Sequence, residues 1–324
     1  MNFIDRNVWA GTEPQEPSPD APRWLRRTPS RILVALFATI LMSFAAPVAV
    51  QIATGRPSSK WGNEVDGLGE AIWFVAVAVA AAGISFVLYR LIVRFTEFRS
   101  VTELNPTKAV TEWGQGLLLG AVLFVAAITA ISLVGKAEIV YNGELAPALA
   151  YLASVGIIAG VGEELVFRGF IYRIVEESLG TWLALALSAV LFGAFHLANE
   201  NATLMGAISI ALTAGLLLGA IFVLTRRLWM VIGVHMAWNI TQGAIFGATV
   251  SGSGLSPGLW RTTTTEGPNW ISGGTFGPEA SIFAVAFCLA AFVPIMKAAQ
   301  RRNRIITPVW SRPTSSDPMP PNRM

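Results

Sequence analysis

Eight long runs of this 324-residue chain contain no Asp, Glu, Lys or Arg. Most of them reach or exceed the roughly 18 to 20 residues that an α-helix needs to cross about 30 Å of hydrocarbon. The alternation of polar and apolar residues that marks the strands of a membrane barrel is absent from runs such as ILVALFATILMSFAA. The sequence therefore predicts an all-α, polytopic membrane protein with about eight transmembrane helices, in the runs Ile32 to Gly55, Ala71 to Tyr89, Trp113 to Gly135, Leu145 to Gly162, Ser178 to Asn199, Asn201 to Thr225, Leu228 to Trp260 and Ala280 to Met296.

The composition supports a multi-pass protein of the cell membrane, with the lipid bilayer as its surroundings. Hydrophobic residues make up 53% of the chain and charged residues 13%, which leaves too few polar groups to cover the surface of a soluble protein. A net charge of +3 is compatible with nucleic-acid binding, but the basic residues lie beside apolar runs, so no nucleic-acid partner is predicted. The single cysteine, Cys288, excludes a disulfide framework and lies in an apolar run.

The distribution of Lys and Arg predicts the orientation. If the eight helices alternate in direction, both tails and the loops on their side carry 17 basic residues, whereas the loops on the opposite side carry 4. Short loops rich in Lys and Arg stay in the cytoplasm. We therefore expect both termini to be cytoplasmic.

Three regions follow from these patterns. Residues 1–31 form a Pro-rich cytoplasmic tail, residues 32–297 form the helical membrane domain, and residues 298–324 form a basic C-terminal tail that is expected to be disordered. The first apolar run is too long for the core of a signal peptide, so we expect that helix to be retained. The loop from Thr249 to Glu279 is rich in Gly and Pro and is interpreted either as an ordered cap at the membrane surface or as a solvated connector.

The fourth apolar run continues into charged residues that a membrane helix rarely contains. Its sequence VGIIAGVGEELVFRGFIYRIVEE includes Glu163, Glu164 and Arg168. Three ionised groups at this depth would cost roughly 8 to 10 kcal/mol on insertion scales, so they need compensation. Glu164 and Arg168 are four residues apart and are expected to pair on one helix face. Glu163 is left without a partner, which makes it a functional candidate, although a helix cap or a hydrogen bond to a neighbour would also explain it.

Both histidines of the chain lie inside apolar runs. A helical hairpin that turns at Gly180 would bring His196 level with Glu163, with Glu176 and Glu177 in water beyond the membrane edge. His235 follows the next cytoplasmic loop by eight residues and is expected at about 12 Å depth, close to the depth of the other two groups. The three groups therefore predict a polar cavity within the membrane. Because polar residues follow His196 almost at once, its helix is expected either to end early or to open onto this water-filled cavity.

Each histidine has a second residue at helical spacing. Asn239 lies four residues after His235, and Phe192 lies four residues before His196. Phe192 is interpreted as a packing residue. Asn239 is either part of the site or a partner in a hydrogen bond between helices.

Together these residues resemble a known family. The segments EELVFR (163–168), FGAFH (192–196) and HMAWN (235–239) are similar to the motifs EExxxR, FxxxH and HxxxN of the CPBP intramembrane metalloproteases, which include type II CAAX prenyl proteases and bacteriocin-processing or immunity proteins. The resemblance covers about residues 145–245, which are taken as the catalytic core. The segment GGTFGPE (273–279) is also similar to the last loop of many bacterial members.

The resemblance implies an intramembrane endopeptidase that acts on a membrane-associated protein or peptide. Glu163 and His196 would hold and deprotonate a water molecule, while His235 and Asn239 would face the oxyanion. Glu164, Arg168 and Phe192 would contact these groups and orient them. Alternatively, Arg168 would bind a carboxylate of the substrate. The sequence assigns no oligomeric state.

The resemblance leaves the cofactor open. One zinc or another divalent cation would be held by Glu163, His196 and His235, and Glu200 is a further candidate ligand. If His235 faces the oxyanion, however, only two of these three residues remain as ligands. This consideration favours a water activated by glutamate without a metal.

Two other functions remain open at the level of sequence. A membrane scaffold or an immunity-type protein would use the same residues for binding rather than catalysis. A proton-coupled transporter would also explain Glu and His inside the membrane, but no inverted repeat is apparent in the sequence.

Overall fold

The structure, a computed structural model, describes residues 51–55, 64–254, 258–265 and 267–312, and a few positions between 19 and 48. It is mostly helical. Within the described residues, five helical runs are long and apolar enough to cross a membrane: Leu68–Glu97, Ala109–Leu133, Leu145–Ala198, Leu204–Thr225 and Ile282–Arg301. The first predicted run, 32–55, lies largely outside the described residues. The count of about eight transmembrane helices therefore stays a prediction.

The first two described helices are α1 (Leu68–Glu97) and α2 (Ala109–Leu133). The next helical run, Leu145–Ala198, is interrupted at Gly180, where φ is 73° and ψ is 171°. Glycine adopts a positive φ without steric strain, so the chain reverses there, as the sequence predicted. We call the two parts α3 (residues 145–179) and α4 (residues 181–198).

Helix α3 changes its hydrogen-bonding pattern along its length, and α4 ends in a tighter turn. The successive segments are α-helical Leu145–Tyr151, π-helical Leu152–Ala159, α-helical Gly160–Glu164, π-helical Leu165–Tyr172, α-helical Arg173–Phe195 and 3-10 helical His196–Ala198. The 3-10 turn ends α4 just before Asn199, which is extended.

The remaining helices complete the bundle. Helix α5 spans Leu204–Thr225, with a π-helical segment at Ala211–Gly215. Helix α6 spans Leu228–Asn239 and continues as the π-helix Ile240–Ile245. After the short helix α7 (Asn269–Ser272), helix α8 runs over Ile282–Arg301.

Helix α6 lies at the centre of the described helices and packs closely against α2. A Cβ atom at Gly120 of α2 would lie 2.3 Å from the carbonyl oxygen of Val234, and one at Gly233 of α6 would lie 2.4 Å from the carbonyl oxygen of Trp113. Only glycine permits backbones to approach this closely, as is common between membrane helices. This contact holds α6, which carries His235 and Asn239, in the middle of the bundle.

A two-stranded antiparallel sheet was not predicted by the sequence. Strand β1 (Ala137–Tyr141) pairs with β2 (Trp260–Thr264), with Ala137 opposite Thr264 and Tyr141 opposite Trp260. The strands are five residues long and 118 residues lie between them in the chain, so no local turn marks their pairing. The all-α assignment therefore holds for the helices and missed this two-stranded ribbon.

The turn between α3 and α4 is held by charged residues that the sequence placed in water. Glu176 and Glu177 are buried, because Arg226 donates to Glu176 and Arg31 donates to Glu177. The expected exposure of both carboxylates was wrong, since their partners come from distant parts of the chain.

The C-terminal segment also packs on this turn. The carbonyl oxygen of Ile306 accepts a hydrogen bond of 2.9 Å from the backbone nitrogen of Thr181, and the side chain of Arg312 donates to the carbonyl oxygen of Glu177. Residues 304–312 were expected to belong to a disordered tail, whereas these contacts order them. Residues 313–324 lie outside the described residues.

Candidate active site

Three helices bring Glu163 and the two histidines together. Glu163 is on α3, His196 begins the 3-10 turn that ends α4, and His235 is on α6. The Oε2 atom of Glu163 lies 3.9 Å from Nε2 of His196 and 3.9 Å from Nε2 of His235. This oxygen is buried and has no hydrogen-bond partner among the described residues, although 19% of the side chain is exposed. The three groups that the sequence singled out thus face one point.

Glu164 and Arg168 form the ion pair that their spacing predicted. Oε1 of Glu164 accepts a hydrogen bond of 2.7 Å from Nη1 of Arg168, and both side chains are fully buried. The second nitrogen of the guanidinium group donates to the carbonyl oxygens of Ala214 and Gly215, at 3.0 and 3.2 Å. Arg168 therefore links α3 to α5.

Glu164 also contacts His235, which the sequence did not predict. Its Oε1 atom lies 2.7 Å from Nδ1 of His235. Since a carboxylate only accepts, we assign the hydrogen atom of this contact to Nδ1. The contact orients the ring so that Nε2 faces Glu163.

The ring of His196 is oriented by its own helix. Its Nδ1 atom lies 2.7 Å from the carbonyl oxygen of Phe192, which can only accept, so Nδ1 carries a hydrogen. In the neutral ring, Nε2 then has a free lone pair that faces Glu163. Both rings are thus held by their Nδ1 atoms, with their Nε2 atoms in the site.

Phe192 packs against three members of the site. Its ring centroid is 4.9 Å from that of His196 and 5.9 Å from that of His235. The guanidinium carbon of Arg168 lies 4.5 Å from the same centroid, within the range of a cation–π contact. The packing interpretation of Phe192 agrees with these contacts.

Asn239 makes the contact between helices that was left open as an alternative to a site role. Its Nδ2 atom donates to the carbonyl oxygen of Val155 on α3, at 3.2 Å. A carboxamide nitrogen carries two hydrogens, so one remains for a second acceptor. Asn239 also lines the same cavity as the two histidines.

The carbonyl groups that bind these side chains lie in π-helical segments. Val155 is in the π-helix Leu152–Ala159, and Ala214 and Gly215 are in the π-helix Ala211–Gly215. A π-helical turn changes the backbone hydrogen-bonding pattern of the helix, so that a side chain from a neighbouring helix is able to insert. The irregular turns thus supply acceptors for Arg168 and Asn239 inside the membrane.

A narrow cavity extends from the two histidines to Ser251 and Glu279, in the loops that follow α6. Its lining includes a carboxyl group, Glu279, that the sequence analysis did not assign to the site. Glu279 is the only charged residue between positions 267 and 296, and this isolation beside an apolar run is the signal that could have identified it. The cavity is lined by Phe192, His196, Ile210, Thr213, Ala214, Leu217, Leu218, Val234, His235, Trp238, Asn239, Ser251, Glu279 and Cys288.

The donor set at Glu163 fits a divalent cation in its chemistry. Two imidazole lone pairs and one carboxylate oxygen without a partner face the same point, as in a His2Glu zinc site. The distances of 3.9 Å are longer than the ~3.3 Å expected between ligands of a tetrahedral zinc ion. As placed, no three His, Cys, Asp or Glu side chains of the described residues are close enough to hold a metal ion. A small movement of the Glu163 side chain would be required.

Comparison with protein families identifies one match. Residues 144–241 match the family described as type II CAAX prenyl endopeptidase Rce1-like. Searches of curated proteins and of solved structures found no match. The matched segment contains all three motifs, so the resemblance stated from the motifs is confirmed, and it supports a membrane protease at a coarse level. The part of the chain that carries the candidate site is therefore similar to the Rce1-like type II CAAX prenyl endopeptidases.

Proposed function

We propose that this protein is an intramembrane endopeptidase that hydrolyses a peptide bond of a membrane-associated protein or peptide. The observation that carries the proposal is the position of Glu163, whose Oε2 atom lacks a hydrogen-bond partner and lies 3.9 Å from Nε2 of both His196 and His235. Buried polar atoms without partners are rare in purely structural roles. A carboxylate held in this way is suited to take a proton from a substrate water.

The spacing of the three groups supports the activation of a water molecule. A distance of 3.9 Å is too long for a direct hydrogen bond, but one water is able to bond both Glu163 and His196 across it. Since Nε2 of His196 accepts, both hydrogens of such a water would be engaged and a lone pair would face the substrate carbonyl. Glu163 then takes the proton as the oxygen–carbon bond forms.

The charges of the buried cluster support an oxyanion role for His235. Glu163, Glu164 and Arg168 together carry one net negative charge, which a low-dielectric interior disfavours. A proton on Nε2 of His235 balances this charge, and the resulting N–H is able to donate to the oxyanion. The second hydrogen of the Asn239 carboxamide is available for the same oxygen.

A bound divalent cation is an alternative way to balance the same charge. Zinc held by Glu163, His196 and His235 would polarise the bound water and lower its pKa. In that state His235 is neutral and serves as a ligand, so Asn239 is the remaining donor to the oxyanion. Glu164 keeps the same role in both cases, because it fixes the ring through Nδ1.

The test compares membrane proteomes of cells that express the wild type, Glu163→Gln or the control Glu138→Gln. Glu138 is exposed on β1, so its change keeps the same chemistry away from the site. We expect protein fragments with new termini in the wild type and the control, and none with Glu163→Gln. If the three proteomes have the same termini, the protease proposal is wrong and a scaffold or a transporter is favoured.

A second measurement separates loss of activity from loss of folding. Purified Glu163→Gln, His196→Gln and His235→Gln should each lose at least about 100-fold in activity, since each removes a group that acts on the water or the oxyanion. The thermal unfolding midpoint of Glu163→Gln should stay close to that of the wild type, because the Oε2 atom of Glu163 makes no hydrogen bond among the described residues.

A further inference from the structure

Glu279 introduces a second carboxyl group into the cavity of the candidate site. It lies in the 3-10 turn Pro278–Ala280, immediately before α8, and it is 5% exposed. The same cavity is lined by His196, His235 and Asn239, and Nε2 of each histidine lies 3.9 Å from Oε2 of Glu163. The proposed water chemistry does not use this group.

The position of Glu279 is fixed by the loop that follows α6. Its Oε1 atom accepts a hydrogen bond from the backbone nitrogen of Ser251. The carbonyl oxygen of Ser251 in turn accepts from Nδ2 of Asn199, at 2.6 Å, just after α4. The neighbouring Gly252 donates to the carbonyl oxygen of Phe276, at 2.8 Å. Two loops and the end of α4 therefore hold the carboxyl group at the cavity wall.

The surroundings of Glu279 favour its neutral form. Among the described residues, no Lys or Arg forms an ion pair with Glu279, and the titratable side chains that share its cavity are His196, His235 and Cys288. Burial raises the pKa of the Glu279 carboxyl to about 7. A carboxyl group that keeps its proton near pH 7 and lines the cavity of the site is suited to donate that proton.

We propose that Glu279 is the general acid that protonates the leaving amine, an inference that rests on the proposed endopeptidase function. Water adds to the carbonyl carbon and its proton passes to Glu163. When the carbon–nitrogen bond breaks, the amine nitrogen takes the proton of the Glu279 carboxyl group. Glu163 is then protonated and Glu279 ionised, and a proton transferred through water from the first to the second restores both groups.

The assignment explains why a second carboxyl group is needed. An amine is a poor leaving group unless it is protonated as the bond breaks, whereas an activated ester releases a stable anion without a proton. Glu279 therefore matters for amides and not for such esters. Glu163 matters for both, because both require an activated water.

The experiment uses the full-length protein in lipid vesicles and two probes. The first is a quenched fluorescent peptide that spans a cleavage site found in the proteome comparison, and the second is an aryl ester of its acyl half. In Glu279→Gln the side-chain oxygen still accepts a hydrogen bond from the backbone nitrogen of Ser251. The carboxamide, however, has no acidic proton to give to the leaving amine. We expect the rate on the peptide to fall at least about 100-fold and the rate on the ester to change less than about twofold. Glu163→Gln should lose both activities, and Glu138→Gln neither.

The wild type provides a measurement that does not depend on the folding of a variant. Its peptide hydrolysis should lose rate as the pH rises through about 7, because the acid form of Glu279 disappears, whereas ester hydrolysis should keep its rate. Equal pH profiles for both probes, or equal losses of both activities in Glu279→Gln, would overturn the role of Glu279. Absence of peptide cleavage by the wild type would instead overturn the proposed function, and with it this inference.

Discussion

Glu164 and His235 are joined by a contact of 2.7 Å between Oε1 and Nδ1, across helices α3 and α6. The same oxygen accepts from Arg168, so one carboxylate connects the buried guanidinium to the imidazole that faces the site. Such a partner fixes the tautomer and the orientation of a ring, and its loss commonly reduces activity or metal affinity by about 10- to 100-fold. The second glutamate of the EELVFR motif thus acts on the site through His235.

Arg168→Met should lower stability strongly. The change removes the charge with little loss of volume and leaves the buried carboxylate of Glu164 without its cation, which costs about 3 to 5 kcal/mol in comparable buried pairs. Thermal unfolding in detergent should show a clear decrease of the midpoint. The control Arg94→Met changes an exposed arginine of α1 and should leave the midpoint nearly unchanged. Equal midpoints for both variants would contradict the role of the ion pair.

Metal dependence can be measured on the purified protein. If charge balance comes from a proton on His235, elemental analysis should find no stoichiometric metal, and exhaustive chelation should leave activity unchanged. If it comes from zinc, about one equivalent should be present, and its removal should abolish activity until zinc is returned. We expect the first outcome, because His235 is then free to donate to the oxyanion. Stoichiometric zinc that is lost from His196→Gln would instead assign the three groups as ligands.

Gly180→Ala should destabilise the turn between α3 and α4. The residue has a φ of 73°, and a Cβ atom would lie 2.7 Å from the nitrogen of Pro308 and 2.8 Å from the carbonyl oxygen of Ile306. A positive φ combined with an extended ψ is adopted almost only by glycine and costs about 1 to 3 kcal/mol for another residue, and the close contacts add to this cost. Gly83→Ala is the matched control, since its Cβ atom would meet nothing within 4 Å in α1. Its unfolding midpoint should stay the same or rise slightly.

The stability of the protein should depend on pH through Glu279. Its pKa is raised from 4.5 to about 7 by burial, so between these values the folded protein holds a proton that the unfolded chain has released. Stability therefore falls as the pH rises from about 4.5 to 7 and levels off above, by on the order of 3 kcal/mol in total. The difference in unfolding midpoint between the wild type and Glu279→Gln, followed across this range, should show the decrease. A constant difference would mean that the carboxyl titrates normally.

The orientation is tested with reporter fusions. A reporter fused after Met324 should report the cytoplasm, and one inserted after Thr265 should report the exterior, because 17 basic residues are expected on the side of the tails and 4 on the other. A third fusion at Lys108, before α2, serves as a control and should report the cytoplasm. The same location for the first two fusions would exclude an odd number of membrane crossings between them.

The sequence predicted the local geometry of the site well. The pairing of Glu164 with Arg168 follows from the helical period, and the approach of His196 to Glu163 follows from equal distances to the turn at Gly180. These features depend on positions along one or two neighbouring helices. Spacing in the chain therefore suffices to predict them.

Other features depend on how distant parts of the chain pack. The rotation of α6 that brings His235 to Glu164 depends on the close approach of α2, and the pairing of Glu177 with Arg31 joins positions 146 residues apart. The route of the loop that carries Glu279 to the cavity has no periodic pattern. None of these relationships is expressed in the spacing of neighbouring residues, so the sequence left them unassigned.

The bonds between Thr181 and Ile306 have a consequence for biosynthesis. They join residues 125 positions apart, with 2.9 Å from the Thr181 nitrogen to the Ile306 oxygen and 2.8 Å from the Ile306 nitrogen to Oγ1 of Thr181. A ribosome that adds 5 to 20 residues per second needs on the order of 6 to 25 s to reach the second residue after the first. The hairpin of α3 and α4 therefore enters the bilayer with this turn still open. Its completion marks the arrival of the last helix, and a chain interrupted before that point keeps an exposed backbone donor at the turn between α3 and α4.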